Sequence, residues 1–578
     1  MTGMMTFGKN RRPIAYEIAP EDIFLDSSNL PERNEGQFEG RVVRPVASRA
    51  ILGVGFVFAL VILAFAARAF HLEIVQGTVY ADISRNNRLD HSVAFASRGL
   101  IFDRTGRELA WNEASFGTST LSVAETAASS TFAERRYSKL PGLAHILGFV
   151  RYPKADAKGV WWREEYAGVS GVELALNDTL GGVNGSRIVE TDALGVISQD
   201  NIVLPPKNGE DVALSIDAEV QSKLYTILSA HAERQGFRGG AGVIMDVRTG
   251  ELLALTSFPE YDNAAFAAGD GEVIVAASVN ERTPLLNRAV AGLYTPGSIV
   301  KPIFAAAALA ENVIAPETQI LSTGAITIPN PYDPTLPSIF RDWTVHGLVD
   351  MRTAIAVSSD EYFYTIGGGY ESQKGLGILK LDEYARKFGL GEKTGIALWG
   401  EPTGVIPTPE WKEEVFGPGD PWRVGNTYHT VIGQYGFQIT PIQAVRFIAA
   451  IANGGKLLVP QVAARTVSRY ENIGISNADL EIVREGMKLA VTSTRHDATV
   501  KVLNIPGFDI AAKTGTAEVG SRNQWMNSWS VGYWPSENPR YAYAVVLEMA
   551  PAGTLSGAAP GLRPFFEWML LAKPEYMQ

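Results

Sequence analysis

Residues 50–67, AILGVGFVFALVILAFAA, are 18 consecutive positions without a charge or an amide. A core helix ordinarily keeps a polar stripe, and this run has none. It therefore predicts a helix that crosses a bilayer, for which this length is close to the minimum. Beyond it the periods shorten. ASRGLIFDRTGRELAWN (96–112) sets an apolar triplet before a Thr-Gly turn and predicts a hairpin. Residues 113–165 have no clear period. GVSGVELALNDTLGG (168–182) has apolar residues at helical spacing and ends on glycines, which predicts one helix with a C-cap; SRIVETDALGVI (186–197) alternates as one strand.

A larger unit begins near Asn208. A strand leads to Asp217 as an N-cap and then to an apolar-periodic helix. GAGVIMDVRTGELLALTSFP (240–259) reads as two strands joined through Thr249-Gly250. From Arg282 to about Ile314 the pattern is helical, and Pro329, Pro331, Pro334 and Pro337 mark a loop. Helical periods dominate 348–388 and 440–454, strands return at 507–519, 527–534 and 541–549, and a last helix covers 561–572. Strands on both sides of a helical block predict an α+β fold rather than a βαβ repeat. The expected division is a loose tail (1–49), a spanning helix (50–70), a β-rich segment (71–205) and a large α+β domain (206–578).

Composition adds exclusions. A net charge of −11 argues against a nucleic-acid partner. The absence of cysteine removes disulfides, thiolate catalysis and Cys-ligated zinc, and the seven histidines show no ligand spacing, so neither a metal nor a cofactor is expected. Arg41, Arg44 and Arg49 precede the apolar run and place the N-terminus in the cytoplasm, with everything after residue 70 outside it. Ala64-Phe65-Ala66 resembles a signal cleavage site, but a leader of 49 residues is too long for a signal peptide.

Three short elements carry candidate chemistry. YTPGSIVKP (294–302) puts Ser298 in the first turn of a helix and Lys301 one turn on, where an unprotonated amine can take the serine proton. AIAVSSDEYFY (354–364) ends an apolar run with Ser358-Ser359-Asp360, for which helix capping is the plainer reading. Lys-Thr-Gly occurs twice. In DIAAKTGTAEVG (509–520) alternation puts Thr514 and Thr516 on one face and Lys513 on the other, and Gly515 lets a ligand lie against the backbone. In GLGEKTGIALWGE (389–401) Ile396 replaces the second hydroxyl, Glu392 opposes Lys393, and the flanking glycines indicate a turn. The second copy is the candidate site.

In this order, Ser298-x-x-Lys301, Ser358-x-Asp360 and Lys513-Thr514-Gly515-Thr516 resemble the penicillin-binding transpeptidases of the monofunctional class B type. Asp360, where many relatives carry Asn, favours the elongation subtype over the division subtype. RGLIFDRTGRELAWN and GVSGVE look like that family's pedestal motifs, and SFPEYDNAAF, DWTVHGLVDMRTAIAVSSDEYFY and VIGQYGFQITPIQAVRFIAAIANGG resemble its catalytic-domain segments. The resemblance implies an antiparallel sheet covered by helices, an all-helical lobe and a β-rich pedestal with a reduced head. It implies Ser298 as acylated nucleophile, Lys301 as its base, and Ser358 as proton relay positioned by Asp360. Lys513 would supply positive potential, Thr514 and Thr516 would hold the substrate carboxylate, and the Ser298 and Thr516 N–H groups would form the oxyanion hole. It further implies peptidoglycan stem peptides as substrates, β-lactams as ligands, an inner-membrane location, and a membrane glycan polymerase of the shape, elongation, division and sporulation type as partner. Small residues Gly53 and Gly55 suit helix contact, and coupling is expected near Arg98, Asp103 and Gly171. The competing readings are a non-catalytic activator of the polymerase, a division-type transpeptidase, and a β-lactamase or β-lactam sensor, the last opposed by the pedestal motifs and by the lack of a visible deacylation base.

Overall fold

In the computed structural model of the chain, residues 48–86, 89–113, 132–156, 161–191, 197–330, 333 and 335–577 are described. The expected tail up to residue 47, with Arg41 and Arg44, lies outside them, as do 114–131 of the aperiodic stretch, Pro331 and Pro334. The chain divides into two units, 1–88 and 89–578.

In the first unit, helix α1 (Ser48–Phe70) passes into a π-helical turn, His71–Val75, and then a helix Gly77–Asn86. The span Arg49–Val75 is 27 residues long with a mean hydropathy of 2.8 and no part of it buried. At ~1.5 Å per residue it exceeds the ~30 Å apolar thickness of a bilayer. Neither Gly53 nor Gly55 has a neighbour within 4 Å of its would-be Cβ.

The second unit opens with small sheets. Strand Ile101–Phe102 pairs antiparallel with Glu108–Glu113, as the Thr-Gly turn predicts. Asp103 closes that turn: its Oδ1 accepts from the N–H groups of Thr105 (2.8 Å) and Arg107 (2.9 Å) and from the Thr105 hydroxyl (2.7 Å). Its Oδ2 accepts the Ala218 N–H of the larger domain at 3.1 Å. Arg98 is equally buried and, with Arg135, grips Glu173 at 2.5 and 2.7 Å. Gly171, at φ +57°, packs where a Cβ would lie 2.5 Å from the Gly148 nitrogen. Of the three positions near which coupling is expected, Arg98 and Asp103 are interior and Gly171 is half-buried, and Asp103 joins two parts of the fold. Asp103→Ala should cost about 2–4 kcal/mol, because the buried Ala218 N–H and the Thr105–Arg107 turn lose their acceptor. Denaturant unfolding measures this, and a wild-type midpoint would contradict it.

Two further expectations change here. The single helix over 168–182 is two short ones, Gly171–Ala175 and Asn177–Leu180, because Leu176 leaves helical geometry and the Asn177 side chain turns back to accept the Gly168 N–H at 3.0 Å. The single strand over 186–197 is a strand Gly185–Thr191 paired antiparallel with a second, Ile197–Leu204; residues 192–196 lie outside the described ones.

The larger domain starts at α2 (Ala218–Gln235), capped as expected by Asp217, whose Oδ1 accepts from Glu219 and Val220 N–H. Strands β1 (Gly239–Asp246) and β2 (Leu252–Phe258) form the hairpin predicted at Thr249-Gly250. The helix expected from Arg282 begins only at α3 (Lys301–Ala310), after a 3₁₀ turn Gly297–Val300. Pro284, Gly292 and Pro296 interrupt the earlier stretch, and buried Arg288 satisfies the Arg282 and Thr283 carbonyls in place of a helical ladder. Then come α4 (Met351–Val357), α5 (Asp360–Gly368), the fully buried α6 (Pro441–Ala452) and α7 (Asn477–Thr492). Helices Pro409–Phe416, Val424–Val431 and α7 were not anticipated, although Leu480, Val483, Met487 and Ala490 bury one face of α7 at helical spacing. Strands β3 (Ala511–Val519), β4 (Trp525–Trp534), β5 (Tyr541–Pro551) and helix α8 (Ala558–Ala572) finish the domain.

The five strands order as β2-β1-β5-β4-β3, every pair antiparallel. The sheet is covered on both faces, which is why its central strands read as continuous apolar runs. On β5, Val545 and Leu547 join the core with Leu224, Leu228 and Phe566 of α2 and α8. Ala544 and Val546 join the opposite core with Ile442, Val445 and Ile448 of α6. Strand β3 is left at the edge, next to the Ser298 turn.

Candidate active site

Ser298 is the half-buried member of a 3₁₀ turn whose Gly297, Ile299 and Val300 are buried. Trp529 of β4 anchors the entry to this turn by donating Nε1–H to the Thr295 carbonyl at 3.0 Å. Edge strand β3 lies against the turn. A Cβ on Gly515 would stand 2.7 Å from the Pro296 oxygen and 3.2 Å from the Ile299 nitrogen, so only glycine permits the approach. The space freed at Gly515 was expected to admit a ligand; the protein's own turn takes it up.

Alternation on β3 holds as read. Lys513 and Gly515 face inward, while Thr514 is half-buried and Thr516 exposed. Lys513 is fully buried and donates to Ser358 Oγ at 2.7 Å and to the Thr514 carbonyl at 2.9 Å. Lys301, at the start of α3, is fully buried as well. It donates to the Ser358 carbonyl (2.6 Å), to Asp360 Oδ1 (2.7 Å) and to Ser358 Oγ (3.3 Å), and not to Ser298. Ser358 ends α4 in the left-handed region (φ 59°, ψ 37°), where a non-glycine residue carries strain, and Ser359 caps α5 through the Tyr362 N–H. Capping, the plain reading of this element, is thus the work of Ser359, which frees Ser358 and Asp360 to face the two lysines.

Ser298, Ser358, Asp360, Thr514, Gly515 and Thr516 line one cleft of about 520 Å³, together with Trp343 and Thr499, which sequence reasoning did not single out. Electrostatics there are dominated by burial. Burial, and then the charge of Lys301, hold the Lys513 amine well below its ordinary value against the pull of Asp360. Burial raises the Asp360 carboxyl despite the attraction of Lys301. Two amines over one carboxylate suit an anionic ligand beside a hydroxyl nucleophile. Lys393 of the other Lys-Thr-Gly is exposed in a turn, where the Thr394 N–H donates to Glu401 at 2.8 Å.

Comparison with known proteins agrees with this geometry. The penicillin binding protein transpeptidase domain family matches residues 240–567, and the penicillin-binding protein dimerisation domain matches 126–214. The peptidoglycan D,D-transpeptidase MrdA of Haemophilus influenzae is 31% identical over 76% of this chain and 69% of its own. The penicillin-binding protein PBP2 of Helicobacter pylori, solved in complex with MreC, superposes with a TM-score of 0.69 at 25% identity, covering 84% of this chain and 99% of that one. A chain from a peptidoglycan synthase complex that coordinates polymerization and crosslinking gives a TM-score of 0.69 at 26% identity, over 91% of this chain and 99% of its own. This chain belongs to the penicillin-binding protein transpeptidases and, within their class B, to the elongation type, penicillin-binding protein 2.

Proposed function

We propose that this chain is a serine-type D,D-transpeptidase that cross-links peptidoglycan stem peptides during cell-wall elongation and is acylated by penicillins. The observation that carries the reading is the single cleft in which Ser298 stands beside edge strand β3 with Ser358 and two buried lysines beneath it. An extended D-Ala-D-Ala terminus lies along β3, its carboxylate on the Thr514 and Thr516 hydroxyls beside Lys513. Ser298 Oγ attacks the penultimate carbonyl, and the oxyanion forms between the Ser298 and Thr516 N–H groups. Lys301 takes the serine proton. Asp360 accepts from the Lys301 amine at 2.7 Å and so orients it. The C–N bond breaks as Ser358 passes a proton to the departing D-Ala, leaving an ester on Ser298, and the amine of a neighbouring stem then attacks the ester and restores the serine.

The domain division in this reading is a cytoplasmic tail (1–49), one spanning helix (50–70), a pedestal (71–205) and the transpeptidase domain (206–578) on the outer side of the inner membrane. The partner is a membrane glycan polymerase, which the solved synthase complex supports. Since Arg98 and Asp103 are buried, contact falls to other surfaces. A direct test supplies glycan strands with pentapeptide stems to the purified full chain: one D-Ala is released per cross-link and penicillin blocks both. Release without penicillin-sensitive cross-links would instead indicate a hydrolase.

A further inference from the structure

Behind the cleft, His346 is 5% exposed and lies between two carboxylates from different segments. Its Nδ1 is 2.8 Å from Asp497 Oδ2 and its Nε2 is 3.4 Å from Asp342 Oδ1. Neither carboxylate lines the cleft, yet each belongs to a segment that reaches it. Asp342 Oδ2 accepts from the Ser359 hydroxyl at 2.8 Å and from the Glu361 N–H at 2.9 Å, and so holds the first turn of α5. Its neighbour Trp343 lines the cleft and donates Nε1–H to the Val357 carbonyl at 3.1 Å. On the other side, Arg495 clasps Asp497 at 2.9 and 2.8 Å and donates to the His346 carbonyl at 2.9 Å. Two residues beyond Asp497, Thr499 lines the cleft and donates its N–H and hydroxyl to the Ala356 carbonyl at 3.2 and 3.3 Å.

These bonds form two brackets around Ser358. The carbonyls of Ala356 and Val357, just before it, are held by Thr499 and Trp343. Ser359 and Glu361, just after it, are held by Asp342. A left-handed serine persists only where its surroundings over-determine it, and His346 is the group at which the two brackets meet. We propose that His346 is a positioning residue of the transpeptidase: it ties the Asp342 segment to the Asp497 segment, and together they keep Ser358 in its left-handed backbone with Oγ on Lys513. This rests on the reading of Ser358 as part of the acyl-transfer site.

The charged groups around the ring are Asp342 from its own loop and Asp497 and Arg495 from the loop after α7, with Lys301 of α3 beyond Asp342. Burial alone would lower the imidazole, but the carboxylate of Asp342 beside Nε2 and that of Asp497, hydrogen-bonded to Nδ1, outweigh it and hold His346 above its ordinary value. Burial would raise both carboxyls; the neighbouring His346 ring, the charge of Lys301 and the bonds from Glu361 and Ser359 bring Asp342 down to about 2, and the bonds from Arg495 and then His346 bring Asp497 down to about 2. A histidine raised in the folded state keeps its link fully below the unfolded value and loses it as pH rises through the folded one. Acylation should therefore fall on the alkaline side as His346 loses its proton.

The test is the rate of Ser298 acylation by a penicillin against pH, on the full chain in detergent, with thermal melting of each variant. His346→Gln should acylate about ten- to a hundredfold more slowly, the scale of a misplaced group, and should lose the alkaline limb assigned to the imidazole. Asp497→Asn removes one charge that raises His346, so its limb should move to lower pH. A His346→Gln protein with the wild-type rate and profile would overturn the proposal. Should that variant fail to fold, an unmoved limb in Asp497→Asn overturns it instead. Failure of the wild type to be labelled at any pH would sink the transpeptidase reading and this role with it, whereas labelling without these shifts would overturn only the role of His346.

Discussion

Ser298→Ala is expected to reduce D-Ala release by at least ~10⁴-fold, the scale seen when a catalytic nucleophile is deleted. The cleft offers no substitute. Ser358 Oγ is 2.7 Å from Lys513 and 3.3 Å from Lys301, both of which donate to it; the Thr499 hydroxyl donates to the Ala356 carbonyl, and Thr514 and Thr516 sit on edge strand β3, where the proposed reading gives them the substrate's carboxylate. The fold should not change, because Ser298 is half-buried and its turn is held by its buried neighbours and by Trp529. An equal melting temperature with lost release is the expected pair of results. Release that persists in the alanine variant would remove Ser298 from the mechanism.

The second large effect separates the two Lys-Thr-Gly copies. Lys513→Ala should slow penicillin acylation by at least ~10²-fold, as when a preorganised electrostatic contact is removed from a water-poor site. The loss has two sources: the positive potential beside the threonines, and the 2.7 Å bond that orients Ser358 Oγ. Lys393→Ala should acylate at nearly the wild-type rate, since Lys393 is exposed in a turn that serves Thr394 and Glu401. Equal losses in the two variants, read by stopped-flow or gel labelling, would contradict the assignment of β3 as the binding strand.

What was legible in the sequence was what depends on local period. The uncharged run at 50–67, the Asp217 cap, the Thr249-Gly250 hairpin and the three closing strands each follow from residues within a few positions of one another. The alternation that separates Thr514 and Thr516 from Lys513 is of the same kind. Illegible were features set by tertiary partners. The stretch before Pro296 looked helical because its apolar spacing says nothing of Arg288, whose side chain binds backbone carbonyls and Glu548 of β5. Asp103 looked like a surface charge beside a turn, and only the approach of Ala218 shows it as a buried acceptor. The commitment of Lys301 to Ser358 and Asp360 came from no motif spacing, because 57 residues separate Lys301 from Ser358. Asp342, His346 and Asp497 were missed for that reason too: Asp497 is 151 residues from the ring it holds.

The most direct measurement is peptide-level mass spectrometry of the full chain after brief exposure to a penicillin. One adduct is predicted, on the peptide containing YTPGSIVKP and localised to Ser298, with none on the peptides carrying Ser358 or Lys393. An adduct on any other residue, or a protein left unmodified under conditions that acylate a known penicillin-binding transpeptidase, would contradict the account.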